Sequence, residues 1–206
     1  MGAILVQNTA WTNATRALDN LKVHGALSVE EIESLPDADL SDLIRPSGHY
    51  NQKTLKLKSF CSAIRRDSNG DIAQYLSQPA KKMRQALLDV WGIGEETADT
   101  IMLYAAKLPR FIVDTYTIRT LQRIGITPLQ TTKQDLQTAI MKVLPHDPSY
   151  FAEAHALMIQ HGKNTCRKTP NCKVCIMNSD CLSANTDSGI QSLRTVSDRV
   201  KTDYWG

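Results

Sequence analysis

Four cysteines fall within sixteen residues: Cys166, Cys172, Cys175 and Cys181. A central C-x-x-C with an equal gap on either side can wrap four thiolates around one inorganic centre. Such a set suits an iron–sulfur cube or a structural zinc. Zinc sites more often pair two C-x-x-C knuckles, and only one is present, so the spacing favours the cluster with zinc as the alternative. Disulfides come third, because nothing else marks the chain as extracellular. The fifth cysteine, Cys61, has a packing explanation. With Leu57, Phe60 and Ile64 it follows the i, i+3, i+4, i+7 rule of a buried helical stripe.

Two further places could carry chemistry. In Val90-Trp91-Gly92-Ile93-Gly94, followed by Glu95-Glu96-Thr97-Ala98, two glycines one residue apart allow a tight turn with positive φ. They also bare the backbone, so that the amides opening the next helix can face a phosphate. A G-x-G between helices is often only a connection. Lying between two amphipathic helices of matching length, this one reads as a helix-hairpin-helix, which grips the DNA backbone with amides. The second place is Asp114, closing the apolar run Phe111-Ile112-Val113. An acid there is ordinarily an N-cap. A carboxylate held partly dry at a helix start can also stabilise a developing cation or orient a water.

The elements that must position these residues read as helix after helix. Ala14, Ala17, Leu18 and Leu21 form one apolar stripe; Met83, Ala86, Leu87 and Val90 another; Ala98, Ile101, Met102 and Ala105 a third; Leu136, Ala139, Ile140 and Val143 a fourth. Ser28 with Glu31 is a capping box for a short helix ended by Pro36, and Pro46-Ser47-Gly48 breaks the chain before the Cys61 helix. Phe151 to His161 predicts a last helix leading into the cysteine loop. No β alternation is visible, so the fold class is all-α. The start, Met1-Gly2-Ala3-Ile4-Leu5, reads as uncapped helix interior, as in a fragment or truncated gene, and from about 183 the chain loses periodicity and reads as disordered.

At 206 residues and 42% hydrophobic, the chain can bury a real core. A net charge of +3 excludes a whole-protein electrostatic magnet, so nucleic-acid contact has to come from local cations or amides. No apolar run approaches membrane length and no signal peptide opens the chain, which places it in a reducing cytoplasm.

Together, Gly92-Ile93-Gly94 with Thr97-Ala98, then Val113-Asp114-Thr115, then His161-Gly162 running into the four cysteines, resemble the endonuclease III-like helix-hairpin-helix DNA glycosylases. The match runs in order from about Gly2 to Cys181. One spacing departs from the family: five residues, not six, separate Cys166 from Cys172. The resemblance implies a six-helix barrel over 1–108 and a helical lobe with a [4Fe-4S] cluster over 109–182, with DNA in the cleft between them and a tail over 183–206. It implies a monomer acting on double-stranded DNA with a damaged base, in a bacterial or archaeal nucleoid.

By the same resemblance Asp114 is the catalytic carboxylate. Bifunctional relatives carry a Schiff-base lysine where this chain has Glu96, which implies a monofunctional enzyme. Glu95 reads as a dipole complement, whereas two acids beside a phosphate-binding turn are an electrostatic cost. Gln7 falls where relatives insert a glutamine into the vacated stack, and His49 aligns with their opposite-strand wedge. Trp11, a core tryptophan on the bland reading, borders the pocket and could stack on the extruded base. Arg167, Lys168 and Lys173, solvated loop charges by default, present cations to phosphates in relatives. Glu96 and Trp11 together resemble the 3-methyladenine glycosylase branch, for which cationic alkylated purines suit an aromatic face. The alternatives are a mismatch glycosylase, a bifunctional lyase acting on oxidised pyrimidines, and a non-catalytic helix-hairpin-helix module.

Overall fold

The computed structural model describes residues 1–185, and among them no β-strand occurs. The all-α reading holds. The chain divides into two compact units, Met1–Leu108 and Pro109–Gly206. Of the expected aperiodic tail, Leu182–Ala184 is a 3-10 turn, and positions 186 onward lie outside the described residues.

The first unit holds α1 (Gly2–Leu5), α2 (Trp11–Val23), α3 (Val29–Ser34), α4 (Asp37–Leu43), α5 (Tyr50–Ser68), α6 (Ile72–Leu76), α7 (Ala80–Leu88) and α8 (Glu95–Tyr104). Its centre is α5, which packs on α1, α3, α4 and α6. Leu57, Phe60, Cys61 and Ile64 are buried there as their spacing predicts, and Phe60 meets Tyr75 edge to face at 6.1 Å. Burial pushes the Cys61 thiol up to about 11, so it stays protonated and inert. The capping box is present: Ser28 Oγ accepts from the Glu31 amide and Glu31 Oε2 from the Ser28 amide. It starts α3, which packs on α5.

The second unit holds α9 (Thr115–Ile124), α10 (Lys133–Val143) and α11 (Pro148–Asn164). Thr132 caps α10, and Asp147 caps α11, whose first residue is a proline. Phe111 and Phe151 stack edge to face at 5.6 Å. Against them the Gln137 amide donates to the Phe111 carbonyl. Helix α11 lies on α9 so closely that a Cβ on Gly162 would stand 2.7 Å from Tyr116 Cδ1.

Three stripe positions differ from the periodic reading. Val90 is buried but lies beyond the end of α7. Ala105 is exposed at the C-terminus of α8, where Leu103 is buried instead. Val143 is 73% exposed in the last turn of α10, since only Leu136, Gln137 and Ala139 of that helix are buried.

Gly162→Ala should therefore force α9 and α11 apart and cost about 1–3 kcal/mol, the usual range for overpacking. Guanidinium unfolding of the variant would show it as a lowered midpoint at unchanged slope.

Candidate active site and cysteine loop

Asp114 stands at the head of α9 and is 7% exposed. One carboxylate oxygen, Oδ1, accepts from the Thr117 amide at 2.7 Å, so the residue is an N-cap. The other, Oδ2, lies 3.4 Å from Nε2 of His155 on α11, itself 7% exposed. Desolvation pushes the carboxyl upward, but hydrogen bonds from His155 and the Thr117 amide outweigh it and hold the group below the ordinary aspartate value. A buried carboxylate is thus kept ionised by its own fold.

Farther along α9, Arg119 at mid-helix and Arg123 in the last turn sit one turn apart. Arg119 donates to the carbonyls of Cys166 at 2.9 Å and Gly162 at 2.8 Å. Arg123 donates to the carbonyls of Arg167 and Lys168 at 2.6 and 2.9 Å, and reaches Cys166 Sγ at 3.4 Å. The two guanidinium forks brace the start of the cysteine loop, a use to which their several fixed donors suit them. Cys166, Cys172, Cys175 and Cys181 all line one cavity of about 40 Å3 together with Arg123 and His161, and none is in a disulfide. Burial lowers the His161 imidazole pKa. In the arrangement seen, no three His, Cys, Asp or Glu side chains among the described residues converge to single-ion distances. The donor chemistry fits a thiolate-bound centre: four cysteines line a common space, and Cys166 already receives an N–H donor. Arg167, Lys168 and Lys173 are exposed on this loop.

In the first unit the glycine turn joins α7 to α8. Gly92 has φ +85°, and a Cβ there would stand 2.4 Å from Lys56 Cγ. Gly94 differs from the expectation: its backbone is extended, with φ −93° and ψ 178°, and a Cβ would meet nothing within 4 Å. Only Gly92 needs the left-handed region, whereas Gly94 leaves open space before α8. As the N-cap of α8 it offers no capping side chain, so the helix presents its opening amides without one.

Gln7 lies against this turn. Its Nε2 donates to Gly92 O at 3.1 Å and Thr97 Oγ1 at 2.9 Å, and its Oε1 accepts from Lys56 Nζ at 2.6 Å. An ammonium can only donate, which fixes the orientation of the amide. Thr97 is buried at 9% exposure, so its hydroxyl serves the hairpin's interior. Trp11 is 55% exposed at the start of α2, and so is no core tryptophan. His49 is exposed, with φ +48° and ψ 32°. Glu96 is exposed in the first turn of α8. Beside it, Glu95 pairs with Arg84 at 3.3 Å, and Arg84 reaches the buried Asp99 at 3.1 Å. That network screens Glu95, with one guanidinium shared between two carboxylates.

Sequence reasoning missed Lys56, His155, Arg119 and Arg123. For the arginines a signal existed in their i, i+4 spacing ahead of Gly125. For Lys56 and His155 none did, because their partners lie far along the chain.

No helix among the described residues is long and apolar enough to cross a membrane. A family model described as HhH-GPD superfamily base excision DNA repair protein matches residues 1–146. A protein of Methanocaldococcus jannaschii, named as a candidate DNA repair glycosylase, is 37% identical over 184 residues, covering 89% of this chain and 84% of that one. Endonuclease III of Sulfolobus acidocaldarius is 25% identical over 183 residues, 88% of this chain and 79% of its own. Among solved structures, a non-covalent endonuclease III–DNA complex superposes with a TM-score of 0.75 at 21% identity, covering 94% of this chain and 83% of that one, a likeness of fold. Helicobacter pylori 3-methyladenine DNA glycosylase bound to 1,N6-ethenoadenine superposes with a TM-score of 0.64 at 26% identity, over 79% of this chain and 82% of that one. This chain belongs to the HhH-GPD superfamily of base excision DNA repair proteins.

Proposed function

We propose that the chain is a monofunctional DNA N-glycosylase that removes an alkylated purine from double-stranded DNA and leaves the strand intact. The observation that carries this reading is the buried, ionised carboxylate of Asp114. As the N-glycosidic bond lengthens, the electron pair leaves with the base and positive charge develops on the sugar. A dry carboxylate stabilises that charge far better than a hydrated one. Water then bonds to the anomeric carbon, and its surplus proton passes to bulk solvent. His155 holds Asp114 Oδ2 in place, so the negative charge is preorganised and costs no reorganisation during reaction.

The choice of substrate follows from what α8 and α2 present. Glu96 stands in the first turn of α8 and cannot form an imine with the sugar, which argues for hydrolysis without strand cleavage. A base already cationic needs no strong acid to leave, and the exposed indole of Trp11 suits it by cation–π contact. The likeness to the H. pylori enzyme supports the same substrate class. Extrusion of the nucleotide leaves a gap for Gln7, with His49 entering from the other strand. The opening amides of α8 bind backbone phosphate, and Arg167, Lys168 and Lys173 add local cations. The four cysteines would hold a [4Fe-4S] cluster, with zinc as the alternative. That centre would fix the loop as a rigid knuckle and take no part in hydrolysis.

Excision measured on duplexes carrying alkylated, oxidised, deaminated or mismatched bases should be fastest for alkylated purines, with no borohydride-trapped protein–DNA adduct. A dominant oxidised-pyrimidine activity with trapping overturns this reading. Asp114→Asn, which retains the cap, should lose roughly 100-fold or more in single-turnover rate, the scale seen when one stabilising group is removed.

The same carboxylate has a stability signature. Its folded pKa is depressed, so its contribution is present above the unfolded value of about 3.9 and is lost as pH falls through the folded one. The stability gap between wild type and Asp114→Asn should close on acidification through that window in denaturant titrations.

Gly92→Ala should destabilise by about 1–3 kcal/mol, because it is both strained and crowded. Gly94→Ala should fold normally yet weaken DNA binding, with a methyl group standing where phosphate approaches. The purified protein should be brown with broad visible absorption, and a colourless protein containing zinc would replace the cluster.

A further inference from the structure

Lys53 of α5 is 2% exposed, a rare place for an ammonium. Its Nζ donates to the main-chain carbonyls of Leu5 at 2.9 Å and Ser47 at 2.7 Å. Among the described residues no carboxylate pairs with it. Burial, and secondarily Lys56 one turn on, pull its pKa down to about 8. A methionine would fill the same volume without a charge to desolvate, so what the ammonium adds is the pair of carbonyls it joins.

Those carbonyls stand in equivalent places. Leu5 ends α1, and two residues later comes Gln7. Ser47 ends the 3-10 turn Arg45–Ser47, and two residues later comes His49. Both following loops pass through the left-handed region that L side chains rarely adopt, at Asn8 (φ 54°) in one and at Gly48 (φ 68°) and His49 (φ 48°) in the other. Loops of this kind wander unless their departure points are fixed. A single buried nitrogen fixes both at once, and the separation between them is set by two hydrogen bonds to the same atom.

We infer that Lys53 is a positioning residue that holds Gln7 and His49 in mutual register, so that the two enter a duplex as a matched pair when a nucleotide is extruded. This rests on the reading of Gln7 and His49 as inserting residues. The bonds of the Lys53 ammonium go to main-chain carbonyls, so it acts through the backbone that carries Gln7 and His49.

The test uses the full chain and a duplex with a tetrahydrofuran abasic analogue opposite 2-aminopurine, so that no damaged base need be chosen. Wild-type binding should raise 2-aminopurine fluorescence as the opposite base loses its stacking. Lys53→Met should bind within about threefold of the wild-type Kd yet give less than roughly a third of that rise, because phosphate contacts set affinity while insertion reports register. Lys53→Gln keeps two N–H donors on a shorter stem and decides the matter by the same split if the methionine variant does not fold. A folded variant that matches wild type in fluorescence, or loses affinity and fluorescence together, overturns the inference. If wild type itself gives no rise, the insertion reading of Gln7 and His49 fails, and the role of Lys53 falls with it.

Discussion

The second unit depends on one carboxylate meeting one helix start. Asp114 cannot be exchanged freely, because its Oδ1 closes α9 by capping Thr117 and its Oδ2 faces His155 of α11. Helix α9 in turn braces the cysteine loop: ten residues, about 15 Å of rise, separate the carboxylate end from the arginine end. Between these ends Gly162 lets Tyr116 seat directly on α11. A change in any of these contacts is felt along the same helix, so the position of the negative charge and that of the cysteine loop are mechanically linked. Both are short-range packing constraints, so a centre held by the cysteines, on the proposed reading without a part in hydrolysis, would still matter to the rigidity around the carboxylate.

The first unit solves a different problem, which is to keep a bare glycine turn rigid without side chains of its own. Lys56 does this from outside. Its aliphatic stem lies against Gly92, where even a methyl group would not fit, and its ammonium holds Gln7. Gln7 then ties the turn to the first helical turn of α8 through Gly92 and Thr97. Releasing Gln7 from three such bonds costs about 2–4 kcal/mol at typical net values. On the proposed reading that cost falls on base extrusion. The free protein then keeps its glutamine docked on the turn until DNA offers new partners.

What was legible in the sequence was local. The capping box, the buried face of α5, the glycine pair, the N-cap at Asp114 and the cysteine spacing each involve residues within a turn or two of one another, and side-chain type alone signals them. What was not legible is equally consistent. Lys53 and Lys56 bond to main-chain carbonyls or to a distant amide, and the partners of Arg119 and Arg123, whose spacing alone was visible, are carbonyls too; a carbonyl carries no residue-type signature. Asp114 and His155 lie forty-one positions apart and meet only because α9 packs on α11. The stripe positions that differ, Val90, Ala105 and Val143, all sit at helix ends. At Ala105 and Val143 the 3.6-residue period still runs in the sequence after the packing partner has ended, whereas Val90 stays buried and only the helix has stopped.

The electrostatics of the glycine turn follow from the same economy. With a net charge of only +3, the chain has little long-range attraction for a polyanion, and α8 opens on two acids. Arg84, held between Glu95 and the buried Asp99, screens both carboxylates, although one guanidinium shared by two acids does not cancel them. What then faces an approaching phosphate is a set of fixed amide dipoles, which displace fewer counterions than lysines do. On the proposed reading, Glu96 in the first turn of α8 both withholds the amine that strand cleavage needs and adds negative charge that favours a cationic base, so the two halves of the proposed specificity share one side chain.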